Sequence, residues 1–438
     1  MSTTVSRRRR RALAPAVLTV AALSLTACGG GGTAEGGSGN AQAPSEFSLL
    51  VNAENSALPP SLTALSEDEC AAENEALPLS IETVPQTSLD QRLQLLAGQG
   101  GLPVQFSAGN APDLTQTLDE SGHVLDLEQA LTDIGAIDNI EPAAISTIEN
   151  LFGGFKVLPY EYNIEGIWYN EQLFEEQGVE VPQSWDELVA AAEQFEQAGI
   201  TPLSAAGEQG WPITRLIGNY IFRDLGPDAM QRVADGEAKL TDPEYVAAAQ
   251  AVADLGEAGY FGEGVGSITS DVAVNQFLTG DAAMYYTGSW TLSEFLDPEL
   301  NAIGEENIGF MPFPNVEGGA GDRSQIAANV GLSVAVNANA QSDEVDGWLN
   351  CISENYGSTA LEEADRVSGF TVNQPVDSPA LVQTVQDQIA STDETVLWFE
   401  ALFNTKATST SQTNAANLVT GGITAEEFMT LVQNDLDQ

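Results

Sequence analysis

Phe47-Ser48-Leu49-Leu50-Val51 is a short unbroken apolar run, and further on Leu79, Ile81 and Thr83 alternate with polar neighbours. Both patterns are those of strands. Between them Pro60 to Asn74 reads as a helix, and from Thr87 to Ala97 another helix carries Leu89, Leu93 and Leu96 on one face. Strand, helix, strand, helix points to an α/β fold with a parallel sheet, since strands running the same way need a crossover and a helix supplies it.

The same signals continue toward the C-terminus. Ser184-Trp185-Asp186-Glu187 is a capping box after Pro182, and Leu188, Ala191, Ala192 and Phe195 follow at helical spacing. Asp242-Pro243 offers an N-cap with a proline at the first helical position, and Gly256 offers a stop. Thr424 to Glu427 forms a second capping box ahead of Phe428, Leu431 and Val432. Leu332, Val334 and Val336 alternate as a strand, and Gly318 to Gly321 reads as an exposed loop. At 438 residues the chain exceeds one ordinary domain, so two units or one large one are expected.

At the N-terminus Arg7 to Arg11 precede an apolar stretch, Ala12 to Ala27, broken by Pro15. A membrane-spanning helix needs roughly 20 apolar residues, so this stretch reads as a signal peptide. It ends Leu25-Thr26-Ala27-Cys28, the pattern of a lipoprotein signal, which implies cleavage before Cys28 and diacylation of its sulfur. Two acyl chains on the glyceride anchor stably where one does so only marginally. Gly29 to Ser45 is then a Gly/Ser/Ala/Pro tether. The mature protein is expected outside the cell, lipid-anchored to the outer face of the cytoplasmic membrane, by either general or twin-arginine export.

The whole chain holds 14 basic and 64 acidic residues, a net charge of −50, with a mean hydropathy of −0.08. Residues 1–27 carry five of the arginines and no acid, so 9 − 64 leaves −55 on the mature chain. No basic surface remains to displace phosphate counterions, which excludes non-specific nucleic-acid binding. Such a surface repels itself unless salt screens it over about 8–10 Å, which suggests a saline or alkaline habitat and a ligand that is not strongly anionic. After Cys28 two cysteines remain, Cys70 and Cys351. In an oxidising compartment the pair reads as a disulfide, the alternative being two buried thiols.

Catalytic motifs are lacking. His123 is the single histidine and sits in Ser121-Gly122-His123, a turn, so a Ser–His–Asp triad has only this residue to use. No Gly-x-Ser-x-Gly elbow, His-Glu-x-x-His, zinc-type cysteine pair or Walker loop occurs. With 64 acids, chance carboxylate pairs abound, and a glycosidase needs two at a defined separation. A non-enzymatic role without cofactor or metal is the stronger reading.

From about Lys156 a series of ordered motifs resembles the family 1 extracellular solute-binding proteins of ABC importers, the carbohydrate binders related to maltose-binding protein. Val157-Leu158-Pro159-Tyr160 precedes Ile167-Trp168-Tyr169-Asn170-Glu171-Gln172-Leu173-Phe174; Pro182-Gln183-Ser184-Trp185-Asp186-Glu187-Leu188 and Gly199-Ile200-Thr201-Pro202-Leu203 follow. Phe277-Leu278-Thr279-Gly280-Asp281-Ala282-Ala283-Met284 leads to Gly288-Ser289-Trp290, and Gly421-Gly422-Ile423-Thr424-Ala425-Glu426-Glu427-Phe428 resembles the closing element. Upstream, Gly109-Asn110-Ala111-Pro112-Asp113 matches a further motif, so the likeness covers about residues 46–438.

The resemblance implies two α/β lobes joined by a hinge, a type II periplasmic-binding-protein-like fold with ligand in the interlobe cleft. The lobes would be 46–156 plus 312–376 and 157–311 plus 377–438. It also implies a monomer that captures a mono- or oligosaccharide by hinge closure and delivers it to the transmembrane permease subunits, touching the membrane only through its lipid. Rival readings are the same fold holding a cationic osmolyte or polyamine, a secreted carbohydrate-active enzyme, and a sensory or adhesion lipoprotein.

A sugar presents apolar CH faces and a hydroxyl rim, so its site needs aromatic platforms with polar partners around them. Trp290 matches the family's stacking tryptophan and Trp398 its late platform. Glu208 and Trp211 occupy a stretch where the family places contacts, and Asn163 matches a hinge-side polar position. Asn52 and Glu54 follow the first strand, where ligands approach open sheets. Asn110 and Asp113 follow the next strand region, and Tyr160 completes the set. Trp168, Trp185 and Trp348 read as core. With no tryptophan before Trp168, the first lobe has Phe106 as its platform or none.

Overall fold

The computed structural model describes residues 44–53, 58–108, 112–364 and 366–438. Among these, nine strands form one sheet: β1 Phe47–Asn52, β2 Leu79–Val84, β3 Gln105–Ser107, β4 Val157–Asn170, β5 Thr201–Ser204, β6 Ala282–Gly288, β7 Ile308–Met311, β8 Ile326–Val336 and β9 Thr395–Val396. Their order is β2-β1-β3-β8-β4-β6-β5, with β7 also on β4 and β9 also on β8.

The expected parallel pairing holds at the two flanks, where β1 joins β2 and β3, and β5 joins β6. The centre differs. Here β4 and β8 run antiparallel from Val157↔Ala335 to Glu165↔Ala327, and β3 and β6 attach to them antiparallel. The helical crossovers that force parallel pairing operate only within each flank. The two long central strands carry the chain from one flank to the other in opposite directions.

Apolar side chains gather in two clusters. One includes Leu49, Phe106, Val157, Trp348 and Ile352, and the other Phe195, Ile217, Met284, Phe399 and Phe428. Trp348 stacks on Phe47 at 4.7 Å and donates its indole N–H to the Leu77 carbonyl, while Trp168 is 0% exposed and Trp185 packs beside Phe313. Cys70 and Cys351 are bonded, with Cα atoms 5.9 Å apart and 281 residues between them in sequence. Closing so long a loop stabilises a fold by about 2–5 kcal/mol.

Both capping boxes form, at Ser184/Glu187 and Thr424/Glu427. The Pro60 to Asn74 segment divides into Leu58–Glu67 and Ala71–Ala76, with Cys70 between them as the N-cap of the second helix. Gly256 does not stop its helix, which continues to Glu257. A Cβ there would stand 2.1 Å from the Val419 carbonyl oxygen, so this glycine lets Pro243–Glu257 and Thr405–Val419 lie close. The turn out of the helix comes at Gly259, where φ is +81°. His123 sits half-buried in a turn beside Asn339. No helix of the described residues is long and apolar enough to cross a membrane.

Candidate functional site

Strand β4 carries the floor of the site, and its register with β8 shifts on either side of Glu161, between Pro159 and Glu161 and between Glu161 and Asn163. Glu161, Asn163 and Glu165 project to one face, while Tyr160, Tyr162 and Ile164 project to the other. The polar face is cross-linked. Asn163 donates to the Glu161 carboxylate at 3.1 Å and accepts from the Ser289 hydroxyl at 3.2 Å. Asn329 on β8 donates to Glu165 at 3.0 Å. Opposite this row stands Gly331, where a Cβ would meet Asn163 Nδ2 at 2.6 Å and Glu161 Oε1 at 2.8 Å.

Above the floor stand three half-buried tryptophans. Trp290 lies in Ser289–Thr291, directly after β6, and its ring folds back over Gly288, where a Cβ would be 2.1 Å from the indole. The Gly-Ser-Trp order thus has a steric reason. Trp211 opens the helix Trp211–Leu225 behind Gly210, whose positive φ of +74° and approach to the Gln412 carbonyl admit no side chain. The Trp211 and Trp290 rings meet edge to face at 5.7 Å. Trp398 completes the group through Arg215, whose guanidinium carbon lies 5.0 Å from the Trp398 ring centroid and 5.8 Å from that of Trp211.

Arg215 is the electrostatic centre. Its Nη1 binds Glu165 at 2.5 Å, and its Nε lies 3.8 Å from Glu400. Glu165 also accepts from the Tyr286 hydroxyl at 3.0 Å, and that hydroxyl accepts from Asn219 at 2.8 Å. Glu400 accepts from Thr214 and from Ser411. Glu165 is 1% and Glu400 4% exposed, so two buried carboxylates share one guanidinium. Burial pushes the Glu400 carboxyl above its ordinary range, and Arg215 and the two hydroxyls only partly offset this. Burial and the neighbouring Glu165 charge likewise hold the Tyr286 phenol protonated, as the donor its geometry requires.

Of the residues singled out in the sequence, Asn163, Trp211, Trp290 and Trp398 converge here. Glu208 lies nearby in the chain but is exposed, and Asn52 ends β1, paired in register with Val84. Tyr160 is corrected. It is 1% exposed on the opposite face of β4, donates to Gln105, and packs against Tyr356 and Phe370 in the core. Phe106 is fully buried and offers no platform. Glu54, Asn110 and Cys28 lie outside the described residues, as does the Asp113 side chain.

Sequence reasoning passed over Glu161, Glu165, Arg215, Asn329, Gly331 and Glu400. Two signals were present. Glu161 and Glu165 flank Asn163 at strand period, and Arg215 follows Trp211 by four, on one helix face. Among the described residues no group of three or more His, Cys, Asp or Glu is placed to hold a metal ion.

The family model for bacterial extracellular solute-binding proteins matches residues 78–354, and the chain belongs to that family. A probable sugar-binding periplasmic protein of Rhizobium meliloti is 23% identical over 253 residues, 51% of this chain and 56% of the relative. The chain spans about half the length of the curated relatives it matches. Among solved structures, a chitin oligosaccharide binding protein is 26% identical, with a TM-score of 0.69 over 90% of this chain and 98% of that one. The bacterial solute receptor AcbH, whose preference is given as β-D-galactopyranose, shares the two-lobed fold with a TM-score of 0.74 at 16% identity, over 89% of this chain and 98% of its own.

Proposed function

We propose that the protein is the extracellular substrate-binding component of an ABC importer and captures a neutral carbohydrate. The observation that carries this reading is the convergence of Trp290, Trp211 and Trp398 on the Glu161–Asn163–Glu165 ladder. Indole faces suit the CH face of a pyranose, and carboxylates and amides suit its hydroxyl rim. The sugar-binding names of several relatives support it.

Two rivals are disfavoured by geometry. An aromatic cage on these rings would bring a quaternary ammonium beside the Arg215 guanidinium, which lies against both Trp211 and Trp398, and the two positive charges would repel, whereas a neutral sugar meets no such penalty. A glycosidase needs one carboxyl free as acid and another as nucleophile or base. Glu165 and Glu400 are instead buried and held by structural hydrogen bonds.

The lobes are 46–156 plus 312–376 and 157–311 plus 377–438, with β4 and β8 as hinge strands. The two apolar clusters follow these bounds only in part: the first also takes Trp168, Phe277, Tyr285 and Phe295 from the second lobe and Leu381, Val382 and Val385 from Ala380–Ala390, and the second takes Phe313 and Ala327 from the first lobe. Ligand contacts that favour the closed hinge shift the population toward it, and the closed form docks on the permease. The protein acts as a monomer, held at the membrane by the lipid on Cys28, with no catalytic step. Asn52, Glu54, Asn110, Asp113 and Glu208 contribute the remaining polar contacts.

A thermal-shift screen of residues 46–438 in high salt tests the reading, with mono-, di- and oligosaccharides beside betaine and polyamines. A sugar at 100 times its Kd adds about 2.7 kcal/mol to stability. A response to cations alone would overturn it. With the responding sugar in hand, Gly331→Ala is expected to weaken binding about tenfold, roughly 1.4 kcal/mol, because its methyl displaces Glu161 and Asn163. Calorimetric affinity equal to that of the parent would remove the floor from the site.

A further inference from the structure

Trp290 and the Glu161, Asn163 and Ser289 end of the floor also line a pocket of about 250 Å³ that extends the site between β4, the helix Leu292–Leu296 and the end of the helix Asp343–Ala364. Its chemistry is uneven. Leu292 and Val367, 5% and 8% exposed, present apolar surface, and Leu296 and Ala364 extend it. Arg366 and Glu161 line the same space. Among the described residues the Arg366 side chain makes no ion pair or hydrogen bond, although the mature chain has only nine cations against 64 acids. Glu161 spends one oxygen on Asn163.

We infer that this pocket takes the acetamido group of an N-acetylated amino sugar whose ring lies against Trp290, an inference that rests on the carbohydrate reading above. An acetamido group presents one methyl, one carbonyl acceptor and one N–H donor. The pocket presents the matching set: aliphatic side chains for the methyl, a guanidinium that can only donate, and a carboxylate that can only accept. Unsubstituted hydroxyls placed against Leu292, Leu296 and Val367 would lose their water without gaining partners. A uronate carboxylate would pair with Arg366 but would face Glu161 and Asp297 in the same pocket.

The test is calorimetry on the mature protein with matched pairs, N-acetylglucosamine against glucose and chitobiose against cellobiose. The acetylated member is expected to bind about tenfold to a hundredfold more tightly. Arg366→Met and Leu296→Asn are each expected to bring that ratio below about threefold, the readout being the ratio rather than binding itself. Equal affinity within the pairs, or selection of an unacetylated sugar, overturns the acetamido assignment and leaves the carbohydrate reading standing. Response to no sugar at all, with or without response to betaine, overturns both.

Discussion

Trp290→Ala is expected to lower ligand affinity by about 30- to 150-fold, some 2–3 kcal/mol, the scale of a buried aromatic anchor. The size follows from how the ring is held. Trp290 leaves a short turn after β6, closes over Gly288 and meets Trp211 edge to face, so little rotamer freedom remains to be lost on binding. Its ring also bounds the pocket that holds Glu161 and Arg366, so its removal takes a wall from that extension of the site as well. Titration calorimetry of parent and variant with the sugar found in the screen measures this. The unliganded melting temperatures serve as the folding control. An affinity within threefold of the parent, in a variant that melts normally, would move the stacking platform elsewhere.

Asn163, Trp211, Trp290 and Trp398, singled out by the motifs they sit in, stand together in the candidate site, and the motif around Trp290 also obeys a local rule. Gly288-Ser289-Trp290 is a motif whose glycine is demanded by the ring two residues on. Both capping boxes at 184–187 and 424–427 form as read. What escaped was pairing across the fold. Asn163 was singled out while Tyr160, three residues away on a strand, was placed in the same site. An odd separation on a strand puts two residues on opposite faces, and the core claimed the tyrosine. Strand period alone would have preferred Glu161 and Glu165. Arg215 and Glu400 are 185 positions apart, and no local pattern announces that β9 and the following turn return to the helix bearing Arg215. Gly256 misled for a similar reason, since a stop signal and a close helix contact ask for the same residue.

Arg215→Met is expected to destabilise the unliganded protein by about 3–5 kcal/mol at neutral pH, because it leaves Glu165 and Glu400 buried with no countercharge. The methionine fills much of the space beside Trp211 and Trp398, so lost packing contributes less than lost charge. The pH dependence separates the two. In the parent the Glu400 carboxyl is already raised above its ordinary range, chiefly by burial, with Arg215 pulling the other way. Removing Arg215 raises it further. A carboxyl raised in the folded state contributes stability below its unfolded pKa and loses it as pH rises through the folded one. The deficit of the variant should therefore be smaller near pH 5 and larger near pH 8. Urea unfolding of both proteins at the two values measures it, and a deficit unchanged with pH would mean that packing alone was lost. Adding Glu400→Gln to Arg215→Met is then expected to recover part of the loss at pH 8 and little at pH 5, since it removes one of the two stranded charges while Thr214 and Ser411 keep a partner. Failure of that rescue would place the whole charge effect on Glu165, the carboxylate that Arg215, Tyr286 and Asn329 jointly hold at the floor of the site.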